Sequence, residues 1–227
     1  MESSHLHSWI AAPKRRFGGF TLAELLVTFG IIAVIMGVAI TNQSAFNRTF
    51  LLTDTTYSIA LSAREAQSLG LSSRKFAGVQ NGGYGLHFTY VTPTSYVIFA
   101  DISSAKLKPS WCPITATSTP EARAGNCVYD DSSEVYQTYA LTRGFKISDV
   151  CGKNIGSAEV CGSAGGLDTI DVLFLRPNTQ AIITAYKSGA ATQYSCATIR
   201  VVPPGSSNPQ TMRITSTGEI SVYQACP

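Results

Sequence analysis

From Phe20 to Ile40 the chain runs twenty-one residues with a single ionisable side chain, Glu24. At about 1.5 Å per residue a helix of that length spans roughly the 30 Å hydrocarbon core of a bilayer. A carboxylate inside such a segment is costly, on the order of 2.5 to 3.5 kcal/mol at a helix centre and less near an end, so it is retained where it gains a partner. The stretch is preceded by Lys14-Arg15-Arg16-Phe17-Gly18-Gly19, a basic, glycine-ended leader. An ordinary secretory signal would have an apolar stretch of roughly 7 to 15 residues closed by a small-residue cleavage site. Here the run is longer, no such site closes it, and the cut is expected before the helix, so that the anchor stays.

The junction Gly19-Phe20-Thr21-Leu22-Ala23-Glu24-Leu25-Leu26 after a positive leader resembles the processing site of type IV pilins and type II secretion pseudopilins. The resemblance implies that a prepilin peptidase cuts after Gly19 and that Phe20 becomes the N-methylated first residue. It further implies that Glu24, the fifth mature residue, acts in filament assembly by neutralising the new amine of an adjacent subunit. The partners implied are other pilin subunits and an inner-membrane assembly platform. The localisation implied is the bacterial inner membrane, single-pass with the head outside the cytoplasm, then an extracellular filament.

The remaining residues fit a stalk and a head. Between 44 and 69, Phe46, Leu52, Ile59, Ala63, Ala66 and Leu69 fall mostly at three- and four-residue intervals, which predicts that the helix continues with one apolar face. Gly70 is the expected stop. Short segments rich in β-branched and aromatic residues follow at 84–90, 96–100, 135–141, 145–148, 170–175, 181–186, 197–202, 212–216 and 219–223, separated by Gly, Pro, Ser or Asn clusters. The expected fold is α+β: a long N-terminal helix, transmembrane in its first half and amphipathic in its second, packed on an antiparallel β head. The expected division is leader 1–19, transmembrane half 20–43, amphipathic half 44–70 and β-rich head 71–227. Residues 101–134 show little periodicity and read as a disulfide-pinned surface insertion.

All six cysteines lie in the part expected outside the cytoplasm: Cys112, Cys127, Cys151, Cys161, Cys196 and Cys226. An even count there reads as disulfides, with fifteen pairings open. Sequential pairing is expected, because each neighbouring pair closes a segment rich in loop residues. Zinc would need ligand spacing such as Cys-x-x-Cys, which is absent.

Beyond the leader the layout is similar to the GspH/FimT-like minor pilins. That similarity is carried by Ala60-Leu61-Ser62-Ala63-Arg64-Glu65-Ala66, by Tyr84-Gly85-Leu86-His87-Phe88, by Phe174-Leu175-Arg176-Pro177 and by Thr217-Gly218-Glu219-Ile220-Ser221-Val222. It implies a minor subunit of a pilus-like filament, with a type II secretion pseudopilin or a DNA-uptake subunit as the other readings.

Charge gives DNA little support. The formal net charge is +3, and removal of a leader holding Lys14, Arg15 and Arg16 against Glu2 leaves about +1. The candidate phosphate contacts are Arg200 and Arg213, which flank the Pro203-to-Gln210 segment, and Lys187. A denser arginine motif of the Gly-Arg-x-Arg kind, which DNA-binding relatives tend to have, is missing.

Catalytic chemistry is not expected. With His5 and His7 in the leader, His87 is the one histidine left, too little for a nucleophile and base pair. Gly82-Gly83-Tyr84-Gly85 lacks a phosphate-loop ending, and its glycines are read as serving a turn. Asp130, Asp131, Asp168 and Asp171 are read as solvated turn acids, since no calcium-loop spacing is present. No cofactor or metal is expected.

Overall fold

A computed structural model of the chain describes residues 19–72, 74–79, 82–103, 105–114 and 125–227. The leader through Gly18 and residues 115–124 lie outside the described residues. Two compact units are present, residues 1–46 and 47–227. Helix α1, Leu22–Leu71, contributes to both. Within the first unit, Leu22–Ile40 is long and apolar enough to cross a membrane, and none of it is buried.

In the second unit the helix lies against two antiparallel sheets. The strands are β1 (Gly83–Thr89), β2 (Ser95–Asp101), β3 (Val135–Ala140), β4 (Lys146–Lys153), β5 (Val160–Cys161), β6 (Thr169–Phe174), β7 (Ala181–Lys187), β8 (Ala190–Tyr194), β9 (Cys196–Val202), β10 (Gln210–Thr215) and β11 (Ile220–Val222). One sheet has the order β3-β2-β1-β6-β7-β8, the other β11-β10-β9-β4-β5. The architecture is thus α+β, with a helix on antiparallel sheets.

Alternation decides what each strand buries. Leu86 and Phe88 of β1, Ile98 of β2, Ile170, Val172 and Phe174 of β6, and Ile183 of β7 share one core with Ile199 and Val201 of β9 and Met212 and Ile214 of β10. Ile59, Ala63 and Ala66 of the helix enter the same core. Small alanines let the helix approach the sheets closely, which is why the stripe is alanine-rich. Polar contacts fix its rotation: Ser62 Oγ lies 2.9 Å from the Tyr96 hydroxyl, the Tyr139 hydroxyl donates to Glu65 at 2.8 Å, and Gln67 Nε2 donates to the carbonyls of Thr179 and Gly218. Burial pushes the Tyr96 hydroxyl up to about 12, against the opposing hydrogen bond to Ser62.

Gly70 is not a helix stop. It remains helical, and a Cβ there would meet the Phe174 carbonyl oxygen at 2.4 Å, so glycine serves the close approach of helix to β6. Nor do Gly83 and Gly85 form a turn. Both lie in β1, where a Cβ would meet Leu173 and Phe99 respectively at 2.8 Å.

Those glycines face a second, smaller core on the outer side of the first sheet, made by Phe99, Leu173 and Leu175 with Cys112, Ile114 and Cys127. The segment between β2 and β3 is therefore more than a surface insertion: it covers this face. Its described residues carry little secondary structure and bond much of their backbone to carboxylates. Asp101 accepts from the N–H groups of Asn126 and Cys127 at 2.9 and 2.8 Å. Glu134 accepts from Ile102, Ser103 and Asp130, and Asp130 from Ala105. Burial raises Asp101 well above the ordinary carboxylate range and raises Glu134, in both cases against these N–H donors.

Candidate functional site

The first turn of α1 is built by Thr21. Its hydroxyl accepts from the Glu24 N–H at 3.2 Å and its carbonyl from the Leu25 N–H at 3.1 Å, so Thr21 is the cap on which the apolar helix begins. Glu24 is the acid of this first turn, where the unpaired backbone N–H groups favour negative charge. Thr-x-x-Glu is a capping-box spacing, a local signal present in the sequence.

Gly19 and Phe20 lie just ahead of this turn, outside the helix, and Phe20 is 77% exposed. A Cβ added at Gly19 meets nothing within 4 Å, so no packing within the described residues calls for glycine there. Among the described residues no cation pairs with the Glu24 carboxylate. The apolar residues that follow, such as Leu25, Phe29, Ile32 and Met36, are all exposed, a surface that only lipid or other apolar helices can cover.

The cysteines are joined as Cys112–Cys127, Cys151–Cys161 and Cys196–Cys226. The first holds the segment over the second core, the second joins registered partners on β4 and β5, and the third ties the C-terminal end to β9. Asp149 lies beside Cys151 and Cys161, a trio with metal-ligand atom types, but both sulfurs are in the disulfide and supply no thiolate.

The three candidate DNA contacts do not form a basic patch. Arg200 Nη1 pairs with Asp149 at 3.3 Å and its Nη2 pairs with Glu159. Arg213 pairs with Glu219 at 2.5 Å and also donates to the Ala225 carbonyl. Lys187 sits at the exposed end of β7, on a different sheet from both arginines. The charge of Arg200 is met by acids 51 and 41 residues away, and that of Arg213 by Glu219 six residues on.

His87 and Asp171 face each other in the β1–β6 register with Nδ1 and Oδ1 2.6 Å apart, beneath Tyr129. Asp171 is 1% exposed and also accepts from the Tyr129 N–H at 3.0 Å, so it is a buried structural acid and not a solvated turn residue. Asp168, by contrast, does sit at a turn, accepting from the Ser188 N–H. The His87–Asp171 pair holds the covering segment to the sheet.

Residues 14–40 match the family model of the prokaryotic N-terminal methylation motif. No curated protein and no solved structure shows significant similarity to the chain. The match covers the leader, the Gly19–Phe20 junction, the capped first turn and the apolar run together. The chain carries a type IV prepilin-like leader, which indicates a pilin-like or pseudopilin-like structural subunit processed by prepilin peptidase rather than an enzyme, and its apolar helix fits an inner-membrane anchor.

Proposed function

We propose that the protein is a minor pilin or pseudopilin of the GspH/FimT-like kind, extracted from the inner membrane into a type IV pilus-like filament. The proposed division is a leader 1–19, a membrane and filament-core helix segment 20–43, an amphipathic segment 44–70 that carries the head, and the β-rich head 71–227. The supporting observation is the first turn of α1. A glycine that no internal packing requires precedes Phe20, Thr21 caps the helix, and Glu24 stands in the first turn of an otherwise apolar, fully exposed segment.

In this reading the peptidase cuts after Gly19 and Phe20 is N-methylated. The carboxylate of Glu24 in the entering subunit meets the positive amine at Phe20 of its neighbour. Charge neutralisation in a medium of low dielectric gives the contact its strength and its register. The pairing of Arg200 with Asp149 and Glu159, and of Arg213 with Glu219, supports this structural role over DNA capture.

Mass spectrometry of protein recovered from membranes and sheared filaments tests the reading. The expected result is a methylated N-terminal Phe20 in both pools, with Gly19→Val blocking cleavage. A mature N-terminus beyond the apolar segment, for instance near position 45, overturns it.

A further inference from the structure

We propose that the outer face of the second sheet is a thiol-exchange site. A thiolate enters at Cys161, and the exchange passes through Cys151 to the Cys196–Cys226 bridge, transferring segment 223–227 from Cys196 to Cys151.

Four of the six cysteines meet on this face. Val150 of β4, Ile199 of β9 and Met212 of β10 turn into the main core, so alternation points their strand neighbours Cys151, Thr198 and Arg213 outward. Cys151 is registered with Cys161 of β5 on one side and with Thr198 of β9 on the other. Thr198 Oγ1 in turn lies 3.1 Å from Cys226 Sγ. Registered side chains on one face stand roughly 5 Å apart. The two bridges are therefore neighbours, separated by the Thr198 side chain. The third bridge, Cys112–Cys127, belongs to the second core on the other sheet.

Access selects the point of entry. Cys161 is partly exposed, whereas the other five cysteines are buried. It stands on β5, a two-residue strand at the edge of its sheet that pairs with β4 alone, so few bonds break when it moves. Arg200, whose Nη1 lies 3.5 Å from Cys161 Sγ, and Lys153 offset the charges of Asp149 and Glu159 along this row. An incoming anion accordingly meets no net like charge.

Exchange runs in two steps, each of which breaks one S–S bond and forms another. In the first, an external thiolate attacks Cys161 Sγ, a mixed disulfide forms there, and Cys151 departs as a thiolate. In the second, Cys151 attacks Cys226 Sγ, a Cys151–Cys226 bridge forms, and Cys196 departs as a thiolate that takes a proton from water. Lys153 is registered with Cys196, and its ammonium donates to the Cys226 carbonyl at 3.2 Å, which sets a cation beside the departing charge. A dithiol completes the reaction: its second sulfur displaces Cys161 as a thiolate and closes the reagent's own disulfide, so that two electrons pass to the chain.

The fold also decides which sulfur Cys151 reaches. Cys196 is its diagonal neighbour on β9, at roughly 7 to 8 Å between Cα atoms, beyond the range of about 4.4 to 6.8 Å that a bridge spans. Cys226 lies instead in a segment outside helix and strand. That segment is held by the Tyr223 N–H on the Thr211 carbonyl, by Arg213 on the Ala225 carbonyl and by Lys153, so it can follow the new bridge.

The test is disulfide peptide mapping of the mature full-length protein in detergent, treated with glutathione at about pH 8, where part of the thiol is ionised, then quenched with acid and alkylated. The expected result is a glutathione adduct on Cys161 together with a Cys151–Cys226 linked peptide and an alkylated Cys196, at a rate independent of protein concentration, while Cys112–Cys127 stays closed. Cys161→Ser leaves Cys151 as a thiol and should give the same linked peptide and free Cys196 with no thiol added. Lys153→Gln should leave formation of the Cys161 adduct unchanged and slow the appearance of alkylated Cys196 by about threefold or more. The proposal is overturned if the first adduct falls on any cysteine other than Cys161, or if Cys151 is alkylated and no Cys151–Cys226 peptide forms. The wild-type arm decides by itself where Cys161→Ser does not fold.

Discussion

Phe99 of β2 lies across Gly85, its registered neighbour on β1, and its ring fills the space where a side chain at position 85 would stand. The pair explains why a glycine sits in the middle of a strand, where it otherwise costs stability. It also shows that the outer face of the first sheet is a packed surface and not a solvated one. Gly85→Ala would bring a methyl to 2.6 Å from the Val172 carbonyl and 2.8 Å from the ring. The expected cost is about 1 to 3 kcal/mol, read as a lower denaturant midpoint at unchanged slope. A midpoint equal to wild type would mean that the second core does not hold Phe99 in place.

The buried acids give the head a definite pH dependence. Burial raises the folded-state pKa of Asp101 and Glu134 above the unfolded value. Such a group binds more protons folded than unfolded, so its contribution is greatest below the unfolded pKa, about 4, and declines as pH rises through the folded value. The melting temperature should therefore fall on going upward from about pH 4. Asp101→Asn should flatten part of that slope while lowering stability by about 1 to 3 kcal/mol, because the amide cannot accept from both Asn126 and Cys127. An unchanged slope in the variant would remove Asp101 as its source.

The role proposed for Glu24 lies in assembly and not in insertion. Glu24→Ala should leave cleavage and membrane insertion near wild type while lowering the sheared-filament pool, measured by immunoblot against the membrane pool. The Thr21 cap is retained in that variant, since Thr21 bonds the backbone N–H at position 24 and not the carboxylate. Thr21→Ala is the control for loss of the helix start, expected to cost about 1 kcal/mol locally. Equal filament levels for Glu24→Ala and wild type would assign Glu24 to the lipid headgroups instead.

Arg200 is a stability residue in the head. Arg200→Ala strands Asp149 and Glu159, of which Asp149 is the more buried. The expected loss is about 1 to 2 kcal/mol, below the range for fully buried pairs because Arg200 is partly open to solvent. Gel-shift assays with duplex DNA should show no difference between this variant and wild type at any salt concentration. A shallower salt dependence in the variant would restore Arg200 as a phosphate contact.

By itself, the sequence determined what is encoded locally. The one acid at Glu24, the length of the apolar run and its continuation to the end of α1 follow from composition and period over adjacent residues, and the junction at Gly19 and Phe20 from the resemblance to a prepilin leader. So do most strands, because alternation and turn residues are local signals. Even Thr21 was legible, through its spacing to Glu24. The short strands β5 and β8 were not, since two residues and a run of Ala-Ala-Thr-Gln carry no period. Strand β4 extends to Lys153, beyond its expected end near position 148, because Val150 and Cys151 gain their partners from β9 and β5. Tertiary structure alone decided what depends on a distant neighbour. Gly70 and Gly85 are glycines because Phe174 and Phe99 stand where a Cβ would go. Asp171 and Asp101 are buried beneath a covering segment 25 to 42 residues away, from whose backbone N–H groups they accept. Arg200 is neutralised by Asp149 and Glu159, which folding brings beside it. The cause is the same in each case: burial and pairing are properties of contacts, and the residues in contact here are far apart along the chain.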